Sequence, residues 1–177
     1  MSPITIANLI LSSLTAAAQA ILIFLFAAAA LKNKGILNFG AKHALLFSFI
    51  VALTAISGSL FYSEIADFEP CKLCWLQRIF VYPQVILLGL ALWKRDKNIA
   101  PYSIALSAIG IIIAGYHYLL QIGATSSVAC PEIGLSASCA QKFTMNFGYI
   151  TIPLMSFTAS LFIFSFMLLL RKRWKCN

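Results

Sequence analysis

The stretch Glu69-Pro70-Cys71-Lys72-Leu73-Cys74-Trp75-Leu76-Gln77-Arg78 opens onto an apolar run that continues to Trp93. A helix needs about 20 predominantly apolar residues to cross a hydrocarbon core, and residues 75–93 supply them with Arg78 as the one charge. The run therefore reads as a membrane span with a Cys-x-x-Cys pair at its mouth. Such a pair can open and close a disulfide, and so carry two electrons. Pro70 discourages helix at Glu69, which places the start of the span at about residue 75 and Cys74 near a helix N-terminus. The partial positive charge of that end favours thiolate. Arg78 follows Cys74 at i+4, on the same helical face. Both effects are expected to lower the pKa of Cys74 and make it the thiolate of the pair.

The rest of the chain is built in the same way. Of its 177 residues 61% are hydrophobic and only 10% charged, with mean hydropathy +0.91. A soluble domain carries about 25% charged residues, so most of this surface is expected to face lipid. Five apolar runs are long enough to span, at about residues 6–31, 44–62, 75–93, 101–121 and 150–170. Their connections are about 12, 12, 7 and 28 residues long, too short for a soluble domain, and short connections make neighbouring helices antiparallel. The expected fold is all-α, a polytopic membrane helix bundle forming one integral membrane domain over residues 1–177. The first run is read as a retained span rather than a signal peptide, because residues 1–5 carry no charged side chain and the run far exceeds a 7–15-residue signal core. Its small residues, Ala16–Ala18 and Ala27–Ala30, suit close helix packing.

The net charge of +8 is not a nucleic-acid footprint, since the basic residues sit in short clusters between apolar runs. Lys32, Lys34 and Lys42 follow the first span, Lys94, Arg95 and Lys97 the third, and Arg171, Lys172, Arg173 and Lys175 the fifth. Ten of the thirteen basic residues thus fall on one side, which the positive-inside rule assigns to the cytoplasm. Four of the five acids, Glu64, Asp67, Glu69 and Glu132, fall on the other. The N-terminus is expected outside and the C-terminus in the cytoplasm, with outer loops at about residues 63–74 and 122–149.

That orientation sorts the cysteines. Cys71, Cys74, Cys130 and Cys139 are on the outer side, where disulfides persist, and Cys176 is in the cytoplasmic tail, where they are rare. Cys176 reads as a free surface thiol without a role. Cys130 and Cys139 are separated by eight residues that include Pro131 and Gly134, a connection suited either to presenting a disulfide to another protein or to a static staple. A four-cysteine zinc site is the competing reading. The first pair has zinc-ligand spacing, but the second is too widely separated.

Two polar residues inside spans need an explanation. An arginine within a span costs roughly 2.5–3.5 kcal/mol on insertion scales. Arg78 is either an anchor snorkelling outward or a guanidinium able to hydrogen-bond a quinone carbonyl and stabilise negative charge there. His117 lies about one turn before the outer end of span four, at a depth similar to Arg78. It is either part of an interfacial aromatic belt with Tyr116 and Tyr118 or, with Arg78, part of a polar pocket beneath the Cys71–Cys74 loop. A dithiol near lipid and a second on a loop can pass oxidising equivalents by thiol–disulfide exchange, and two electrons with two protons match quinone-to-quinol conversion.

Gly58-Ser59-Leu60-Phe61-Tyr62-Ser63-Glu64, Pro70-Cys71 through Arg78, and Tyr82-Pro83 resemble the DsbB/BdbC family of disulfide-bond formation proteins. So do Tyr116-His117-Tyr118, Cys130-Pro131, Cys139 and Phe147-Gly148-Tyr149-Ile150-Thr151-Ile152-Pro153, so that the likeness runs from about Leu45 to the C-terminus. The resemblance implies a four-helix membrane redox core, here with one extra N-terminal span. It implies a thiol–quinone oxidoreductase of the bacterial inner membrane that reoxidises a thioredoxin-fold, DsbA-like thiol oxidase and reduces ubiquinone or menaquinone. Carried over, Cys130 forms the mixed disulfide with the partner and Cys139 is its loop companion. Cys71 exchanges with that pair, Cys74 engages the quinone, Arg78 stabilises the quinone site, and His117 matches a position near it. No metal is implied. This chain departs from the family in its first span and in its closely spaced second cysteine pair, which resembles the shorter-looped branch. Gln77 also stands where some members carry an acid. A vitamin K epoxide reductase-like enzyme and a cysteine-based metal-binding membrane protein are the alternatives.

Overall fold

The computed structural model describes residues 3–124 and 148–175. Five helices long and apolar enough to cross a membrane account for most of them: α1 (Pro3–Ala30), α2 (Lys34–Leu60), α3 (Lys72–Lys94), α4 (Ala100–Gln121) and α5 (Ile152–Lys175). The bundle expected from the apolar runs is present, with several boundaries moved, among them the C-terminal end of α5, which lies at Lys175 rather than at residue 170; two others bear on the site.

The first is the start of α2, at Lys34 rather than at residue 44. Lys32 takes a left-handed conformation (φ 52°) that ends α1. Asn33 then caps α2, its side-chain oxygen accepting from the N–H groups of Gly35 at 3.2 Å and Ile36 at 3.4 Å. Lys34, Lys42 and His43 interrupt the apolar run without interrupting the helix, because backbone hydrogen bonding requires no apolar side chain. The second is the start of α3. Cys71 is its N-cap, with extended backbone (φ −68°, ψ 169°), so the helix begins at Lys72 and Cys74 lies in its first turn. Between α2 and α3, residues Phe61–Ile65 form a π-helical turn, and Asp67 turns the chain with φ 55°.

Helix α5 is the hub. It packs on α4, α2 and α1, whereas α1 touches only α2 and α5 among the described helices. Phe162, Ile163, Phe166, Met167 and Leu170 of α5 meet Leu22 and Leu25 of α1, Ala44 and Ala52 of α2, Leu88 of α3 and Ala100 of α4 in the main core. Close approach of α4 and α5 depends on Gly110, where a Cβ would stand 2.9 Å from Ser160 Oγ. Large apolar side chains such as Phe24, Ile86 and Ile112 point outward, as lipid-facing residues do.

One polar cluster lies deep in the bundle. Gln84, 1% exposed, accepts hydrogen bonds from Ser103 Oγ (2.8 Å) and Ser107 Oγ (3.1 Å) of α4, and its amide donates to Phe80 O (3.2 Å) in the turn that Pro83 weakens. Interhelical hydrogen bonds in lipid are worth about 0.6 kcal/mol each on average, and truncation adds the loss of packing. Gln84→Ala is therefore expected to cost about 2 kcal/mol and Gln84→Leu, which keeps the volume, about half of that. Unfolding of the detergent-solubilised variants, followed by tryptophan fluorescence, measures the order.

Candidate functional site

The start of α3 presents its two sulfurs to different surroundings. Cys71, 2% exposed, packs with Leu73 and Leu120, with Tyr116 and Ile113 of α4 alongside. Its Sγ lies 3.2 Å from Cys74 Sγ and 3.7 Å from His117 Nε2. On the other side of the His117 ring, Nδ1 is 2.8 Å from Gln77 Nε2. With the Gln77 amide donating to Nδ1, the imidazole proton sits on Nε2 and faces the Cys71 sulfur. His117 and Gln77 are themselves 2% and 7% exposed; His117 and Cys71 are held between α3 and α4, while Gln77 also lines the cavity that Cys74 borders.

This arrangement holds the Cys71 thiol well below the ordinary thiol range. The hydrogen bond from Cys74 is the largest cause, and burial opposes it. The hydrogen bond from His117 adds to the lowering. The thiolate was expected on Cys74; the surroundings favour it on Cys71 instead, the sulfur that His117 faces. The helix N-terminus and the i+4 arginine describe only what α3 does to itself, while His117, brought in by α4, faces the other sulfur.

Cys74 lies on the wall of a cavity of about 360 Å³ bounded by α1, α2, α3 and α5. Arg78 and Tyr82 stand on the same wall. Arg78 does not reach outward as a snorkelling anchor. Its Nε donates to Ser59 Oγ and its Nη2 to Ser59 O, both at 3.0 Å, tying α3 to α2. Its guanidinium carbon lies 5.0 Å from the Trp75 ring centroid and 6.0 Å from that of Tyr82, and Tyr82 OH donates to Ser59 Oγ at 3.3 Å. From this cluster the cavity runs along the helices as far as Phe47 and Ile21, between apolar walls.

Arg78 and His117 were expected to share one polar pocket. The structure sets them apart: Arg78 lines the cavity, while His117 faces Cys71 and Gln77 between α3 and α4. Depth along a span is readable from sequence, but the direction a side chain takes around the bundle is not. Ser59 and Tyr62 were not singled out as site residues, although both lie in the quoted Gly58–Glu64 motif. Cys130 and Cys139, and the bystander Cys176, lie outside the described residues.

The sulfurs of Cys71 and Cys74 and the ring nitrogen of His117 lie within 4.8 Å of one another, close enough to ligate one ion. The same placement serves a redox dithiol, because sulfurs 3.2 Å apart need only a small approach to form a disulfide.

Residues 41–170 match the family model for disulfide bond formation protein DsbB. The SPbeta prophage-derived disulfide bond formation protein B of Bacillus subtilis is 47% identical over 123 residues, 70% of this chain and 82% of that protein. A probable disulfide formation protein C of Halalkalibacterium halodurans is 43% identical over 123 residues, 70% of this chain and 89% of that protein. Disulfide bond formation protein C of Bacillus subtilis is 40% identical over 124 residues, with the same two shares. No solved structure matches. A multi-pass bundle with a cysteine pair at one end, matching these proteins over most of their length, belongs to the DsbB family of disulfide-forming membrane oxidoreductases.

Proposed function

We propose that this protein reoxidises a thioredoxin-fold, DsbA-like thiol oxidase on the outer face of the bacterial inner membrane and passes the electrons to ubiquinone or menaquinone. The observation that carries the reading is Cys74 on the wall of an apolar cavity, with the half-buried Arg78 on the same wall. The distribution of lysine and arginine supports an outer N-terminus and a cytoplasmic C-terminus.

The partner's dithiol attacks the Cys130–Cys139 disulfide, with Cys130 taking the mixed disulfide, and leaves as an oxidised protein. The loop dithiol then reduces the Cys71–Cys74 disulfide. One loop thiol attacks Cys71 Sγ and displaces Cys74; the other loop thiol then closes the Cys130–Cys139 disulfide and releases Cys71 as a thiolate, and a sulfur whose pKa is held low is a good leaving group. His117, with its Nε2 proton directed at Cys71 Sγ and its Nδ1 held by Gln77, is the group that receives that charge. Re-forming the Cys71–Cys74 disulfide releases two electrons and two protons. A quinone held in the cavity, with Cys74, Arg78 and Tyr82 at its polar end, would supply the matching two-electron, two-proton acceptor chemistry. Arg78 places positive charge and N–H donors at the cavity end beside Cys74, where negative charge develops. Its bonds to Ser59 orient the guanidinium before anything binds.

Purified protein given a reduced thioredoxin-fold dithiol protein and quinone under anaerobic conditions is expected to reduce the quinone, read from its absorbance. Cys74→Ala and Cys130→Ala are expected to abolish turnover. Full activity of Cys130→Ala with its physiological partner sinks the proposal. Arg78→Ala is expected to raise the KM for quinone about tenfold or more, because a hydrogen bond to a charged group contributes roughly 1.5–3 kcal/mol.

The Cys71 thiolate gives a second test. A free thiol titrates near about 8.5. The lowered pKa keeps Cys71 ionised as pH falls through that range, and the charge is lost only in more acidic solution. His117→Ala removes one of the groups that hold it down. The ultraviolet thiolate absorbance of the reduced variant is therefore expected to appear at higher pH than in the unmodified protein. Gln77→Leu is expected to shift it in the same direction by less, and an unmoved profile in His117→Ala removes His117 from this role.

A further inference from the structure

Helix α1 lies outside the residues that match the family model, yet it builds one side of the cavity. Leu11, Leu14, Ala18 and Ile21 recur at helical spacing and line it, while Leu22 and Leu25 on a neighbouring stripe enter the main core. Cys74, Arg78 and Tyr82 of α3 stand on another wall of the cavity, and α1 makes no packing contact with α3 among the described residues. The cavity is thus a gap between α2 and α5 that α1 covers.

The covering helix is fastened on both flanks. Tyr62 OH donates to Asn8 Oδ1 at 2.7 Å on the α2 side. On the α5 side Gln19 Nε2 donates to Thr158 Oγ1 at 3.2 Å, and Tyr149 OH donates to Gln19 Oε1 at 3.1 Å. Leu11 also rests on Gly58, where a Cβ would come within 3.1 Å of it, so α1 and α2 approach closely at that point. Without α1 the gap opens to lipid. With it, whatever occupies the far part of the cavity is enclosed by α1 side chains.

The cavity has two chemically distinct parts. Its polar end holds Cys74, Gln77 and Arg78 with Ser59 and Tyr62, and the rest reaches along α2 from Gly58 back to Phe47. At a rise of about 1.5 Å per residue that is roughly 16 Å of largely apolar slot. A molecule with a small polar ring and a long flexible hydrocarbon tail has that division.

We propose that the Leu11–Ile21 face of α1 is the binding wall for the hydrocarbon tail of the electron acceptor, and that it sets which tail lengths the enzyme accepts. The inference rests on the proposed quinone reductase activity. Ala18 is the most telling position, because a larger side chain there projects into the slot away from Cys74 and Arg78.

The test uses the full chain reconstituted in lipid, with a reduced thioredoxin-fold dithiol protein as donor. Two quinones with the same ring are compared, one without a tail and one with a long isoprenoid tail. Ala18→Phe is expected to raise the KM for the tailed quinone about tenfold, as overpacking of a fitted site does, with kcat and the KM for the tail-less quinone nearly unchanged. Leu11→Ala, which opens the wall instead of filling it, is expected to narrow the preference for the tailed quinone in the same assay. Phe24→Ala, on the lipid-facing side of α1 at 60% exposure, is expected to change neither. Retained activity with the tail-less quinone shows that a variant is folded. Ala18→Phe and Leu11→Ala proteins with the unmodified enzyme's ratio of KM values overturn the role of α1 while leaving the quinone reading in place. An unmodified enzyme that reduces neither quinone overturns that reading, and this inference with it.

Discussion

A polar side chain carried into a lipid-embedded bundle must find its partners within the protein, because the surrounding hydrocarbon offers none. Arg78 shows how the constraint is met. Its insertion costs roughly 2.5–3.5 kcal/mol, and hydrogen bonds from a charged donor return roughly 1.5–3 kcal/mol each. Two such bonds to Ser59 and two neighbouring aromatic rings are enough to hold the guanidinium inside. The same need fixes the relation of α3 to α2, since Ser59 is where the bonds end. It fixes α3 to α4 as well, through Gln77 to His117 near the cysteines and Gln84 to Ser103 and Ser107 farther along. Of these polar contacts, those of Arg78 with Ser59 and of Gln77 with His117 also lie beside the cysteine pair.

The consequence is a dithiol whose halves are not equivalent. Cys71 and Cys74 are three residues apart, one at the cap and one in the first turn of α3. Three residues of helix turn the side chains only partly around the axis, yet α4 lies against one of them and the cavity against the other. Cys71 is enclosed with a histidine that favours its thiolate, while Cys74 meets an apolar slot and an arginine. A relay that receives electrons from one direction and delivers them in another needs this asymmetry. Here it comes from the neighbours of α3, since the helix dipole acts on both sulfurs alike.

That origin explains what the sequence could and could not disclose. The spans and the position of Cys-x-x-Cys at one mouth follow from apolar run length, a local property. The start of α2 was misplaced because run length measures what suits lipid, whereas Asn33 and the backbone decide what is helix. The charge was expected on Cys74 because dipole and i+4 arguments see a single helix. The histidine that faces Cys71 is 46 residues away from it in sequence and adjacent in space. Ser59, the anchor of Arg78, lies 19 residues before it and has no local signature beyond the Gly58-Ser59 pair.

The turn between α2 and α3 joins these features. At Phe61–Ile65 the helix widens to a π-helical turn, closed by Ala66 N–H donating to Phe61 O at 3.0 Å. Such turns are rare and concentrate at functional sites, so something must hold this one. Phe68 N–H donates to Tyr62 O at 3.0 Å, and the Phe68 ring stacks on Tyr62 with centroids 5.9 Å apart and planes 6° from parallel. Tyr62 OH in turn reaches Asn8 of α1. One side chain thereby links the irregular turn, the segment leading to Cys71 and the helix that covers the cavity. The widened turn carries Tyr62 and Ser63 along the cavity wall beyond Ser59, and the returning chain brings Phe68, Glu69 and Pro70 over the same end. The end of the cavity nearest the cysteines is closed by the very segment that delivers them, so a change in how Tyr62 is held reaches Cys71 through nine residues of continuous backbone.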